Sequence, residues 1–404
     1  MAKNTENTGA TLLVRGRYPA LDGFRGFAAL LVFLCHFGSM VLPYYWLSFG
    51  WVGVDFFFVL SGFLISGGLI DTLDTPGSLK RFYIKRALRI FPLYYAFWGI
   101  VLLLHWPLHV IQFQPRLWHW PLYLGNLVSP HHIDSLWSIS KLNLTYLPDW
   151  PIEINHFWSL CVEEQFYIIW PLVLLILPGR KLRMATCLLG VAASLTARGL
   201  LWHFGPADVA YSEWAYHQTA THIDGLLIGA FIAMLIRDEG ISRLMIQWLK
   251  IALLLGPGLV IAWYTVRFWR ITAVSHERLF ANLSSHWSVV LALTLIPLFA
   301  ASVLLLCLTE DNFISRILTF RPLRALGGIS YGFYVIHDLP QRILAREYSK
   351  LHAWHIANLV VIAWVFATCG LAWLSFCYFE TPFLNLKDRL GTHTTPVSQE
   401  LAAP

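Results

Sequence analysis

Ten stretches of this chain are long and apolar enough to cross a lipid bilayer as helices: residues 21–43, 50–70, 90–106, 156–178, 184–203, 217–236, 251–269, 288–308, 327–345 and 356–377. A hydrocarbon core about 30 Å thick takes about 20 helical residues. The expectation is therefore an all-α fold, a polytopic transmembrane helical bundle of about ten spanning helices. Charge content agrees, because 13% of the residues are charged, against about 25% in an ordinary soluble domain. The formal charge of +6 does not point to nucleic acid, since Lys and Arg lie in short clusters between the apolar stretches. Cytoplasmic loops of a membrane protein look like this, and membrane lipids are the expected surroundings.

With the N-terminus inside, 19 Lys and Arg fall on the cytoplasmic side and 8 outside, so both termini are expected in the cytoplasm. The expected organisation is an N-terminal tail over 1–20, a single membrane domain over 21–383 and a C-terminal tail over 384–404, with the longest connection, about 107–155, outside. The first twenty residues are polar, so the first segment is expected to act as its own uncleaved insertion signal. Cys35, Cys161, Cys187, Cys307, Cys369 and Cys377 all lie in apolar segments without a CxxC spacing, and free thiols are expected.

Ionisable residues inside such segments are costly and mark candidate sites. Arg25 and His36 stand in the first segment, eleven residues apart, on one helix face and separated by roughly 16 Å along the axis. Asp55 falls in the outer third of the second segment. His156 opens the fourth, with Glu163 about 10 Å deeper on the same face, and the sixth carries His222 and Asp224. These are expected to converge at similar depth. Arg86 and Arg89 lie at the inner entry of the third segment, where three guanidiniums with Arg25 suit phosphate recognition; anchoring to lipid head groups is an equal alternative.

Other readings are structural. Asp22 is expected to cap the first helix, and Glu164 to face a neighbouring helix. His337 and Asp338, in SYGFYVIHD with Tyr331, suit either catalysis or an interhelical hydrogen bond. His105, His109, His119, His131 and His132 read as loop or interfacial residues, and no histidine or cysteine spacing suggests a metal. From the residues alone an enzyme competes with a proton-coupled carrier, whose buried His, Asp and Glu would form a relay. Broken helices and paired repeats would favour the carrier, and none is evident in the sequence.

Seven stretches together resemble the bacterial acyltransferase-3 family of integral membrane O-acyltransferases: LDGFRGFAALLVFLCHF (21–37), GWVGVDFFFVLSGFLIS (50–66), RFYIKRALRIFPLYY (81–95), HFWSLCVEEQFYIIWPL (156–172), HIDGLLIGAFIA (222–233), GGISYGFYVIH (327–337) and FETPF (379–383). The resemblance implies a ten-helix core in the cytoplasmic (inner) membrane of a bacterium. Such a core would move an acyl group, commonly acetyl, from cytoplasmic acyl-CoA to a hydroxyl on an extracytoplasmic glycan, glycolipid or similar acceptor. Arg25, Arg86 and Arg89 would then hold the CoA phosphates. His36 would act as general base or acyl carrier, oriented by Glu163 with help from Asp55 or His156. His222, Asp224, Tyr331 and His337 would support the site or face the acceptor. Some members carry an appended hydrolase-like domain; this chain ends shortly after FETPF, so the final step is expected in the membrane core or on a separate partner.

Overall fold

A computed structural model describes residues 18–41, 50–108, 118–127, 155–204, 216–238, 245–259, 262, 288–308, 312–340, 344, 347 and 356–389. Most of the connection over 107–155, nearly all of the N-terminal tail, the C-terminal tail beyond residue 389 and much of 251–269 lie outside the described residues. The long helices are α1 (Pro19–Val41), α2 (Gly53–Ile70), α3 (Ser78–Leu108), α4 (Trp158–Ile176) and α5 (Arg180–Phe204). They are followed by α6 (Thr219–His222), α7 (Asp224–Leu235), α8 (Met245–Leu259) and α9 (Ser288–Cys307). Next come α10 (Phe313–Leu318), α11 (Arg321–Gly328), α12 (Ser330–His337) and α13 (Ala357–Leu374). A π-helical turn (Ser375–Glu380) then leads into α14 (Thr381–Arg389).

No strand occurs among the described residues. Among the described residues seven helical stretches are long and apolar enough to cross a membrane, and α7 and α8 are shorter apolar helices. The protein is thus an all-α polytopic membrane protein. None of the six cysteines forms a disulfide.

Three local expectations need correction. The apolar stretches 217–236 and 327–345 are not continuous helices: the first is interrupted at Ile223 and the second at Ile329. The second break follows Gly327 and Gly328, among the weakest helix formers. Asp22 does not cap α1, because that helix already begins at Pro19; it lies in the first turn, 3.4 Å from Arg25.

Glycine sets the closest helix contacts. A Cβ on Gly62 of α2 would stand 1.9 Å from the Leu226 carbonyl oxygen of α7, and one on Gly229 of α7 would stand 2.0 Å from the Val59 oxygen. Between α1 and α11, a Cβ on Gly26 would meet the Leu323 oxygen at 1.9 Å, and one on Gly327 the Asp22 oxygen at 1.8 Å. In lipid, where apolar burial gives no driving force between helices, such small-residue seams allow the backbone approach that holds helices together. They fix α1, which carries Arg25 and His36, against α11, and so bring it beside α12. Around these seams Phe24, Phe33, Phe37, Phe58, Leu60 and Phe333 form the buried core.

Candidate active site

A cavity of about 460 Å³ opens between α1, α2, α3, α4, α12 and α14. Its wall carries five cations, Arg25, Lys85, Arg86, Arg89 and Lys387, together with Glu163 and Glu164. The sequence puts them there because KRFYIKRALR is helical from Ser78 onward, so Arg86 and Arg89, at i and i+3, share a face of α3. Arg86 lies over the rings of Tyr167 and Phe82, 5.4 Å and 5.8 Å from their centroids. Neither Arg86 nor Arg89 has an ion-pair partner among the described residues. Along α4 the wall runs from Tyr167 past Glu163 to Ser159, about 12 Å of helix rise.

The far wall is formed by Ser159 and Tyr334. The Tyr334 hydroxyl donates to the His156 carbonyl oxygen (2.7 Å) and meets Ser159 Oγ at 2.5 Å. Behind this partition is a second polar group, in which His156, His337 and Asp338 are buried and the His36 side chain is 22% exposed. Asp338, 1% exposed, stands with Oδ1 2.5 Å from His36 Nδ1 and Oδ2 3.3 Å from His156 Nδ1. The His337 ring is centred 5.0 Å from that of His36 and 5.2 Å from that of His156. His337 Nδ1 lies 2.7 Å from the Tyr334 carbonyl oxygen. A carbonyl only accepts, so Nδ1 carries the hydrogen, and in the neutral ring Nε2 presents a lone pair. That Nε2 is buried and makes no hydrogen bond among the described residues. Three elements assemble the group: α1 brings His36, the short 3-10 turn Asn155–Phe157 brings His156, and the end of α12 brings His337 and Asp338. Trp364 of α13 clamps that end by donating to the His337 carbonyl oxygen at 2.8 Å.

His36, His337 and Asp338 each offer a ligand atom within 4.8 Å of the others. The 2.5 Å approach of His36 Nδ1 to Asp338 Oδ1 is nevertheless a direct contact. Ligands arranged tetrahedrally at about 2.1 Å around zinc stand more than about 3 Å apart, so no ion fits between these two atoms.

The candidate residues are thus distributed over separate groups. Arg25, Arg86, Arg89, Glu163 and Tyr331 line the cavity, and Tyr331 donates to the Ile90 carbonyl oxygen of α3 at 2.7 Å. His36, His156 and His337 gather at Asp338. Glu163 is not the carboxylate beside His36: Oε1 accepts from Ser61 Oγ at 2.9 Å and Oε2 from the Tyr167 hydroxyl at 3.1 Å. Asp55 does not help orient His36 either. It pairs with His222 at 3.0 Å, both fully buried, and His222 Nδ1 lies 2.6 Å from the Tyr216 carbonyl oxygen. Asp224 takes two hydrogen bonds from Arg198, each 2.9 Å. Arg198 also donates to Thr294 Oγ1 at 2.5 Å and to the Val290 oxygen at 3.0 Å, so this pair ties α5, α7 and α9 together. Glu164 lines the cavity between the helices, and its Oε1 has no hydrogen-bond partner among the described residues. Asp338, which the sequence offered with His337 for either catalysis or an interhelical hydrogen bond, is the residue whose pairing with His36 and His156 spacing did not reveal.

Fold and site together define a polytopic helical membrane protein in which a cationic cavity abuts a buried histidine–aspartate group. The chain belongs to the acyltransferase-3 family: the family model described as an acyltransferase domain matches residues 18–380, which include the histidine–aspartate group and every cavity-lining residue except Lys387. The chain is 29% identical over 384 residues to the YrhL protein of Bacillus subtilis (strain 168), covering 90% of this chain and 54% of that one. It is 27% identical over 377 residues to the peptidoglycan O-acetyltransferase OatA of Listeria monocytogenes (90% and 55%). To the O-acetyltransferase OatA of Staphylococcus aureus it is 26% identical over 374 residues (90% and 57%). The chain thus spans little more than half the length of these relatives. No solved structure matches it.

Proposed function

We propose that the protein is an O-acyltransferase of the bacterial cytoplasmic membrane, transferring an acyl group, acetyl first among them, from acyl-CoA to a hydroxyl of an extracytoplasmic glycan. The observation that carries this reading is a cavity walled by Arg25, Arg86 and Arg89 whose far end is a thin partition, Ser159 and Tyr334, in contact with the histidine group. Arg86 and Arg89, guanidiniums without an ion-pair partner among the described residues, suit the phosphates of a coenzyme. The family and the O-acetyltransferase relatives support both the reaction and a glycan acceptor.

In this reading the arginines hold the phosphates at the cytoplasmic end and the thioester reaches past Tyr334 towards His36. Asp338 fixes the His36 tautomer with hydrogen on Nδ1 and stabilises the imidazolium. Nε2 then takes the proton from the acceptor hydroxyl as its oxygen attacks the thioester carbonyl. The carbon–sulfur bond breaks, and the proton passes to the departing thiolate. Glu163 serves as a wall of the donor cavity, held by Ser61 and Tyr167, and His156 shares the Asp338 carboxylate.

The test is release of free CoA from acetyl-CoA by the purified chain in nanodiscs, with and without envelope glycans, beside His36→Ala. Glycan-stimulated release that His36→Ala abolishes in a folded protein is expected. Equal release by the variant removes His36 from the chemistry, and absence of both release and CoA binding in the native chain overturns the transferase reading.

A further inference from the structure

Glu163 and Glu164 are adjacent on α4 and both line the cavity, yet their surroundings differ. Both oxygens of Glu163 accept protein hydrogen bonds. Glu164 is 6% exposed, its Oε1 is closed off without a partner, and no ion pair reaches its carboxylate among the described residues. A buried polar group left unmatched costs about 1–3 kcal/mol, and more when it is charged. A group on a cavity wall that the protein leaves unmatched is one a ligand can match.

We propose that Glu164 is the residue that recognises the neutral, amide-bearing arm of the acyl donor, hydrogen-bonding to an amide or hydroxyl of the pantetheine unit. The inference rests on the donor being an acyl-CoA. Position selects the arm over the rest of that molecule. On α4, Glu164 lies between Tyr167, which packs on Arg86, and Ser159 at the partition, so it faces the middle of the path from phosphates to thioester. A carboxylate is the wrong group for a phosphate, and the five cations of the same wall serve that role. What remains between phosphates and thioester is a chain bearing N–H and O–H donors and carbonyl acceptors, the chemistry a buried carboxyl group matches.

The test compares two ligands on the full chain in nanodiscs: CoA, and adenosine 3′,5′-bisphosphate, which keeps phosphates but has no arm. Glu164→Leu is expected to weaken CoA roughly ten- to a hundredfold and to leave adenosine 3′,5′-bisphosphate binding unchanged. Glu164→Gln, which keeps an acceptor and a donor, is expected to recover most of the CoA affinity. Arg89→Ala is expected to weaken both ligands. The proposal is overturned if Glu164→Leu binds CoA like the native chain, or if it loses both ligands in equal measure. If the native chain binds neither compound, the donor reading itself fails and takes this inference with it.

Discussion

Replacing Asp338 by Asn separates the chemistry from the binding of the donor. The exchange preserves shape in a site that is 1% exposed but removes the charge 2.5 Å from His36 Nδ1 and 3.3 Å from His156 Nδ1. It also offers N–H where His36 needs an acceptor, which drives hydrogen from Nδ1 to Nε2, the nitrogen that must act as base. In the Ser–His–Asp systems the same exchange costs about 10⁴ in kcat through the wrong tautomer, and a general base contributes typically about 10²–10⁴. A fall in turnover of 10²–10⁴, about 3–5 kcal/mol of barrier, is therefore expected. Asp338 does not line the cavity, so CoA affinity should stay within about twofold to threefold of native, well under the tenfold of 1.4 kcal/mol. The assay is steady-state CoA release at saturating donor and acceptor, with direct CoA binding in parallel. The combined His36→Ala, Asp338→Asn variant should be no slower than His36→Ala alone, because the carboxylate acts only through the imidazole. Turnover within about threefold of native, or an effect that multiplies with His36→Ala, would refute the assignment.

Arg86→Ala and Arg89→Ala should each weaken CoA at least about tenfold, the scale of a lost charge-assisted hydrogen bond, while kcat at saturation is largely kept; unchanged affinity in both would return them to lipid anchoring. Gly62→Ala and Gly229→Ala should each destabilise by at least about 1–3 kcal/mol, since the new Cβ would stand at most 2.0 Å from a facing carbonyl oxygen. Gly99→Ala, where nothing lies within 4 Å, should be neutral or slightly stabilising; detergent melting curves check all three. Arg198→Met should lower stability by about 3–5 kcal/mol by leaving Asp224 buried without its partner, and adding Asp224→Leu should recover much of that loss. A double variant as unstable as the single one would show that the hydrogen-bond geometry matters more than the charge.

The all-α fold and the cationic residues of the cavity were legible because each rests on a local rule. Segment length gives the spans, and i, i+3 spacing puts Arg86 and Arg89 on one face. What was not legible depends on which helices become neighbours. Equal depth suggested that Asp55, Glu163, His222 and Asp224 would meet His36, but depth says nothing about position around the bundle. The glycine seams decide that: Gly62 and Gly229 lock α2 to α7, where Asp55 and His222 pair, and Gly26 and Gly327 lock α1 to α11, which leads through the break at Ile329 to Asp338. The breaks at Ile223 and Ile329 were hidden for a related reason. An apolar run reads the same whether or not its helix is interrupted.

The interrupted helices and buried ionisable residues are also what a proton carrier would show, so the pairing pattern matters more than their presence. Asp55 is matched by His222, Asp224 by Arg198, and Asp338 by His36 and His156, and His222 is enclosed by the rings of Phe58, Trp158 and Tyr216. Matched pairs behind aromatic rings stabilise a fold, whereas a relay needs groups that can exchange protons along a continuous path. Among the described residues Arg86, Arg89 and Glu164 have no ion-pair partner, and all three line one cavity that stops at Ser159 and Tyr334. Each intramembrane charge opposes insertion by at least about 2.5 kcal/mol, and three unmatched groups on one wall make sense when a ligand matches them in turn. A molecule with phosphates at one end, a polar neutral arm and a reactive group delivered to a histidine has that pattern; a proton does not.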